Sequence, residues 1–118
     1  MQNRRTFTFV QQGRPVAFLE HFDDTNTNRI YINKDIPLSE LPAVFFVPAQ
    51  VGMYELNEEI SLAVIRDRVE PPGRQNIASI LWAFGLKEYD EFNLLLAHKG
   101  RCCQDDCELI EGWATDPI

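Results

Sequence analysis

The chain changes its hydrophobic period at Asn57, and that change limits the folds open to it. Before Asn57, short segments alternate. TFTFV at 6–10 puts Phe7 and Phe9 on one side and Thr6 and Thr8 on the other, the period of a half-buried strand. QQGR at 11–14 supplies a turn, with Gly13 available for positive φ. PVAFLEHF at 15–22 returns as the second strand of a hairpin, Pro15 being tolerated at its first position. DDTNTN at 23–28 is a polar loop, and RIYIN at 29–33 is a third short strand with Ile30 and Ile32 on one face. NKDIPLSELP reads as loop with one helical turn at 38–41. AVFFV at 43–47, fully apolar and closed by Pro48, reads as another strand. QVGMYEL at 50–56 reads as one more, with Gly52 marking a bulge.

From Asn57 onward the spacing is helical. NEEI places an amide side chain at a helix start and two carboxylates in the first turn, where they suit the positive end of the macrodipole. Ile60, Ala63, Val64, Ile65 and Val69 then predict a helix over 58–69, ended by Pro71 and Pro72. A second helix begins near Arg74 or Gln75, carries a stripe of Ile77, Ile80, Leu81 and Phe84, and stops at Gly85 as a left-handed C-cap before Leu86. A third, about 88–98, turns Tyr89, Phe92, Leu95 and Leu96 inward and ends at Gly100. A final strand is expected at about 104–111, with residues 112–118 as a tail whose end, ATDPI, frays. The pattern predicts one α+β domain over 1–118, strand-rich at 4–56 and helical at 57–99. Its antiparallel sheet has four to six strands and packs with three helices.

Between the first two helices lies RVEPPGRQN, 68–76. Two prolines stiffen it and it is short, so it reads as a built corner and not a slack linker, with Arg68, Glu70 and Arg74 projecting around it.

Size and charge narrow the function. A chain of 118 residues holds one core, and 45% hydrophobic content is that of a folded domain. The richest apolar run, NLLLA at 93–97, is far too short to span a membrane, and no apolar region follows the first arginines, so the expectation is mature cytoplasmic protein. Eleven basic against eighteen acidic residues give −7, which works against binding nucleic acid and favours a basic partner.

Candidate chemistry is sparse. His98, Cys102, Cys103 and Cys107 superficially offer four zinc ligands, but adjacent cysteines point to opposite faces of an extended segment, and reduced thiols are the better reading. His21 and His98 sit at element ends and read as structural or solvated. The neighbouring pairs Asp23–Asp24, Glu58–Glu59 and Asp105–Asp106 read as loop, cap and turn residues before acid–base pairs. There is no Gly-rich phosphate loop, no HRD- or DFG-like run and no strand lysine. No enzyme, metal or cofactor is predicted.

Binding anchors are better represented. Trp82 lies about 100° around its helix from Leu81, at the edge of the stripe. It is either a half-buried rim residue or a protruding anchor that fills a slot on a partner. Trp113 either docks likewise or folds back. Arg66, Arg68 and Arg74 either pair with a partner's carboxylates or phosphorylated loop, or remain solvated beside Asp67 and Glu70.

FTFVQQGRPVAFL, then IRDRVEPPGRQNI, then YDEFNLLLAHKGR before a last strand, resemble the N-terminal subdomain of HipA-type toxin kinases, with the match carried by 7–19 and 60–110. The chain departs from that family by stopping where the kinase core would begin, and by having AVFFVPAQV where a serine- and leucine-rich strand is usual. The resemblance implies a stand-alone subdomain that acts as antitoxin to a separate, shortened HipA-like Ser/Thr kinase, by occluding or restraining its active site. It further implies a helix-turn-helix DNA-binding protein as third component. The alternatives are a regulatory or phage-encoded protein that binds an unrelated enzyme, and a non-inhibitory subunit of the kinase complex.

Overall fold

The computed structural model describes residues 3–113. Alternation builds the sheet as expected: β1 (Arg4–Gln11), β2 (Arg14–Phe22) and β3 (Thr27–Ile32) form a meander, the first turn held by Gly13 at φ 80°. After a 3-10 turn (Leu38–Glu40) come α1 (Ala43–Ala49), the two-residue β4 (Glu55–Leu56), α2 (Glu58–Arg66), α3 (Ile77–Ala83), α4 (Glu91–Ala97) and β5 (Cys107–Glu111). The five strands lie in the order β4-β3-β2-β1-β5, every neighbour antiparallel. The architecture is therefore α+β.

One face of the sheet carries Phe7, Phe9, Ala17, Leu19, Ile30, Ile32 and Leu109, all buried. Helices cover it: Phe92 of α4 packs edge-on to Phe7 at 5.6 Å, and Phe45 of α1 to Phe9 at 5.4 Å. Val64 and Ile65 of α2, with Leu94 and Leu95 of α4, complete the core.

AVFFV is a correction: it is helix and not strand, so the described residues form four α-helices where three were expected. A continuous apolar run fits either period, and tertiary packing decides between them. Phe45 and Ala49, four apart, both point into the core while Val47 lies exposed between them, and the amide N–H groups of Phe45 and Phe46 both donate to Pro42 O. The strand expected at 50–56 shrinks to β4, because the C-terminal cap of α1 and the turn after it take up residues 50–53. Gly52 takes φ 83° in a turn that closes α1, with its N–H donating to Ala49 O, and makes no bulge.

The helix ends follow local chemistry. The Asn57 side chain accepts from Ile60 N–H at 2.9 Å, and Asp90 caps α4 by accepting from Asn93 N–H at 2.9 Å. Gly85, at φ 73°, closes α3 with Leu86 N–H donating to Leu81 O. The helices are shorter than the sequence predicts: α2 stops at Arg66, and α3 and α4 each begin later. The segment ATDPI lies outside the described residues.

Both edges of the sheet are tied to other parts of the chain. On β3, Ile30 N–H donates to Ser61 Oγ of α2 and Ile32 N–H to Tyr54 O. Ser61, fully buried, in turn donates to Leu56 O. On β5, Leu109 N–H donates to Lys99 O and Cys107 N–H to Asp105 Oδ1. Gly100 passes so close to this edge that a Cβ there would lie 2.6 Å from Leu109 Cβ.

Candidate docking surface

The corner at 68–76 is fixed by side chains that reach it from elsewhere. Arg68 turns inward and is 4% exposed. Its guanidinium forms a two-pronged pair with Asp105, Nη1 to Oδ2 at 2.8 Å and Nη2 to Oδ1 at 3.0 Å, while Nε and Nη2 also donate to Gly100 O. Burial opposes the Arg68 charge, but the Asp105 carboxylate outweighs it and holds the guanidinium above its usual range. Burial likewise pushes the Asp105 carboxyl upward, yet the Arg68 hydrogen bonds and charge, with the Cys107 hydrogen bonds, together outweigh it and keep it below the ordinary carboxylate range. Arg68, expected on a docking surface, is thus an internal tie between α2 and the segment before β5.

Glu70 is held from two sides. His98 Nε2 donates to its carboxylate at 2.8 Å and Tyr89 Oη donates to its carbonyl at 2.8 Å. Burial raises the Glu70 carboxyl, but the His98 hydrogen bond and charge, a backbone hydrogen bond and the Arg74 charge together outweigh it, so it sits below its ordinary value. His98 also meets Phe84 edge-on at 4.9 Å, which ties the end of α3 to this corner. His98 is therefore a fastening residue.

The remaining predicted anchors divide. Trp113 folds back onto the sheet's second face: its indole N–H donates to Leu19 O at 3.2 Å, and its ring meets Phe18 at 6.3 Å and Tyr31 at 6.1 Å. The Arg4 guanidinium, itself paired with Glu20, lies 4.6 Å from the Trp113 ring centre. Trp113 packs against Phe18 and is half-buried. Arg66 is exposed and pairs with Glu91 at 3.0 Å. Arg74 is exposed and makes no ion pair among the described residues.

Trp82 stands apart. It is 85% exposed, and among the described residues its indole N–H finds no acceptor. Its helix explains why. The α3 stripe of Ile77, Ile80 and Leu81 is only half-buried, Phe84 is exposed, and no residue of α3 is buried. The helix leans on the core without entering it, so Trp82 at the stripe's edge faces solvent. Beside it Ala78, Leu81, Gly85, Leu86 and Lys87 line an open recess of about 530 Å³. Trp82 protrudes, so it is not a half-buried rim residue. Burying an indole removes roughly 150–250 Å² from water. At about 25 cal/mol per Å², a partner covering Trp82 gains on the order of 4–6 kcal/mol before the costs of association.

A second hollow, about 460 Å³, is polar and self-satisfied. In it Arg5 pairs with Asp23 at 2.8 Å and Asn26 donates to Asp90 at 2.7 Å. The buried His21 stacks on Phe92 at 3.6 Å and donates from Nδ1 to Asn28 at 2.8 Å.

The cysteines do not form a reactive set. Cys107 is buried, and burial first, with Asp105 adding to it, pushes its thiol up to about 12. Among the described residues, no three His, Cys, Asp or Glu side chains gather as a metal-binding group, and no helix is long and apolar enough to cross a membrane.

Sequence reasoning missed Lys87 on this surface, a single lysine two residues after Gly85 that gave no signal. Away from it, the Asp90 cap of α4 was also missed, although a carboxylate just before an apolar helix was a signal for it. No family model, curated protein or solved structure matches the chain.

Proposed function

We propose that this protein is a binding module that neutralises a separate HipA-like Ser/Thr kinase, docking on it through the α3 surface and occluding or restraining its active site. The observation that carries the docking role is Trp82, a large aromatic side chain 85% exposed beside an apolar recess on a helix held at its end by Phe84, His98 and Glu70. An exposed tryptophan on a firm support is the usual form of an interface anchor. The identity of the partner rests on the resemblance of residues 7–19 and 60–110 to the N-terminal subdomain of HipA-type kinases. Inhibition of this kind needs no bond chemistry from the inhibitor, only exclusion of nucleotide or restraint of a mobile loop. Contact with DNA falls to a helix-turn-helix protein in the same complex, in keeping with the −7 charge of this chain.

Co-expression with a truncated HipA-like kinase tests the reading. Rescue of growth arrest is expected, together with loss of rescue in Trp82→Ala at unchanged helical signal and melting temperature. If the kinase arrests growth equally with and without this protein, the antitoxin reading is wrong. Equal rescue by Trp82→Ala would move the docking surface elsewhere.

A further inference from the structure

The charges around α3 say what kind of segment fills the recess. The protein carries an excess of carboxylates, and these hold six of its eleven basic side chains: Arg4, Arg5, Arg14, Arg66, Arg68 and Arg101 each pair with an Asp or Glu. Arg29, Lys34, Arg74, Lys87 and Lys99 have no ion-pair partner among the described residues, and of these Arg74 and Lys87 flank α3 in sequence. Arg74 acts on Glu70 only at longer range, and that carboxylate is already bonded to His98. The recess itself contains Lys87 as its one charged lining residue, with Ala78, Leu81, Trp82, Gly85 and Leu86 making up the rest. On an acidic molecule, an apolar recess whose lining includes a cation and no carboxylate is complementary to an acidic, apolar ligand.

We propose that the α3 recess receives a protein segment in which a large apolar side chain lies next to a carboxylate, the apolar group against Trp82 and Leu81 and the carboxylate at Lys87. This rests on the reading of α3 as a docking surface, and not on the identity of the kinase. The division of labour follows from the chemistry. The apolar contact supplies most of the affinity, since exposed charge pairs contribute little in water, while Lys87 selects the acidic segment and speeds its encounter.

A random-peptide display library selected on the intact protein, with Trp82→Ala as counter-selection, provides the probe. The expected result is a set of peptides that need Trp82 and pair Leu, Phe or Trp with Asp or Glu. Their affinity should fall about tenfold in Lys87→Glu, mainly through a slower association rate, and stay unchanged in Arg29→Glu, the same charge change placed on β3. Raising the ionic strength should erase the difference between parent and Lys87→Glu. All three substituted side chains are exposed, and melting curves verify that each variant folds.

Trp82-dependent peptides without acidic residues, or ones that bind Lys87→Glu as well as the parent, would overturn the inference and leave the docking surface intact. Trp82-dependent self-association in sedimentation, with no peptide selected, would make the occupant a second copy and overturn it as well. If no ligand depends on Trp82 at all, the inference and the docking role fall together. Acidic peptides selected by a protein that nevertheless fails to rescue the kinase would uphold the inference and remove the kinase.

Discussion

Trp82 and Trp113 are the same side chain in opposite circumstances. Around Trp113 the chain supplies everything an indole can use: a carbonyl for its N–H, two aromatic edges and a guanidinium over the ring. Around Trp82 it supplies an open apolar recess and, among the described residues, no acceptor for the N–H. The difference lies in the supporting element and not in the residue. Trp113 follows β5, which is paired along its length and delivers the ring onto the sheet. Trp82 belongs to a helix that buries none of its own residues. An aromatic anchor stays available where its element is fastened at the ends instead of along a face.

The contrast can be broken first at its foundation. Arg68→Ala removes one partner of a buried ion pair, leaving Asp105 without its counter-charge and Gly100 O without the Arg68 donors, so a loss of about 3–5 kcal/mol is expected in denaturant unfolding. If the loss is under 1 kcal/mol, the corner is not the fixed point from which α3 departs. Next is Trp113→Ala. A fully buried tryptophan costs about 3–5 kcal/mol on truncation, and this one is half-buried, so about 2–3 kcal/mol is expected, with Phe18 newly exposed to solvent.

Acid sharpens the comparison without mutation. Asp105 and Glu70 are both held below the ordinary carboxylate range in the folded protein. Their contribution is complete above that range and is lost as pH falls through their folded values. Melting temperature should therefore drop on acidification below the ordinary range, and Asp105→Asn should be less stable near neutrality with a shallower acid slope. An equally steep slope in Asp105→Asn would assign the acid response elsewhere. The smallest effect is reserved for Trp82→Ala, expected within about 0.5 kcal/mol of the parent because nothing in the fold rests on that ring. In Trp113→Phe, the remaining emission, from Trp82, should be red-shifted and openly quenched by iodide.

Legibility in the sequence followed the range of the forces involved. The β1–β2 hairpin, the Asn57 cap and the Gly85 stop rest on neighbours a few residues apart, and all three were readable. AVFFV was misread because five consecutive apolar residues have no period of their own, and the deciding contact, Phe45 on Phe9, is remote in sequence. Arg68 was misread for the same cause, since Gly100 lies 32 residues away and Asp105 37. The amphipathic stripe of α3 was correct in direction but silent about depth: spacing tells which side of a helix is apolar, and nothing about how completely the rest of the chain covers it. That is why Trp82 stayed open between two readings until α3 was placed.

The bonds along the two borders of the sheet carry a last consequence. An unoccupied strand border invites another chain to extend the sheet by backbone pairing, whatever its side chains. Here Ser61 and Tyr54 occupy donors on one border, and Lys99 and Asp105 receive donors on the other, with β4 only two residues long. Recruitment by strand addition is thereby discouraged, and any visiting polypeptide must be chosen by what its side chains offer.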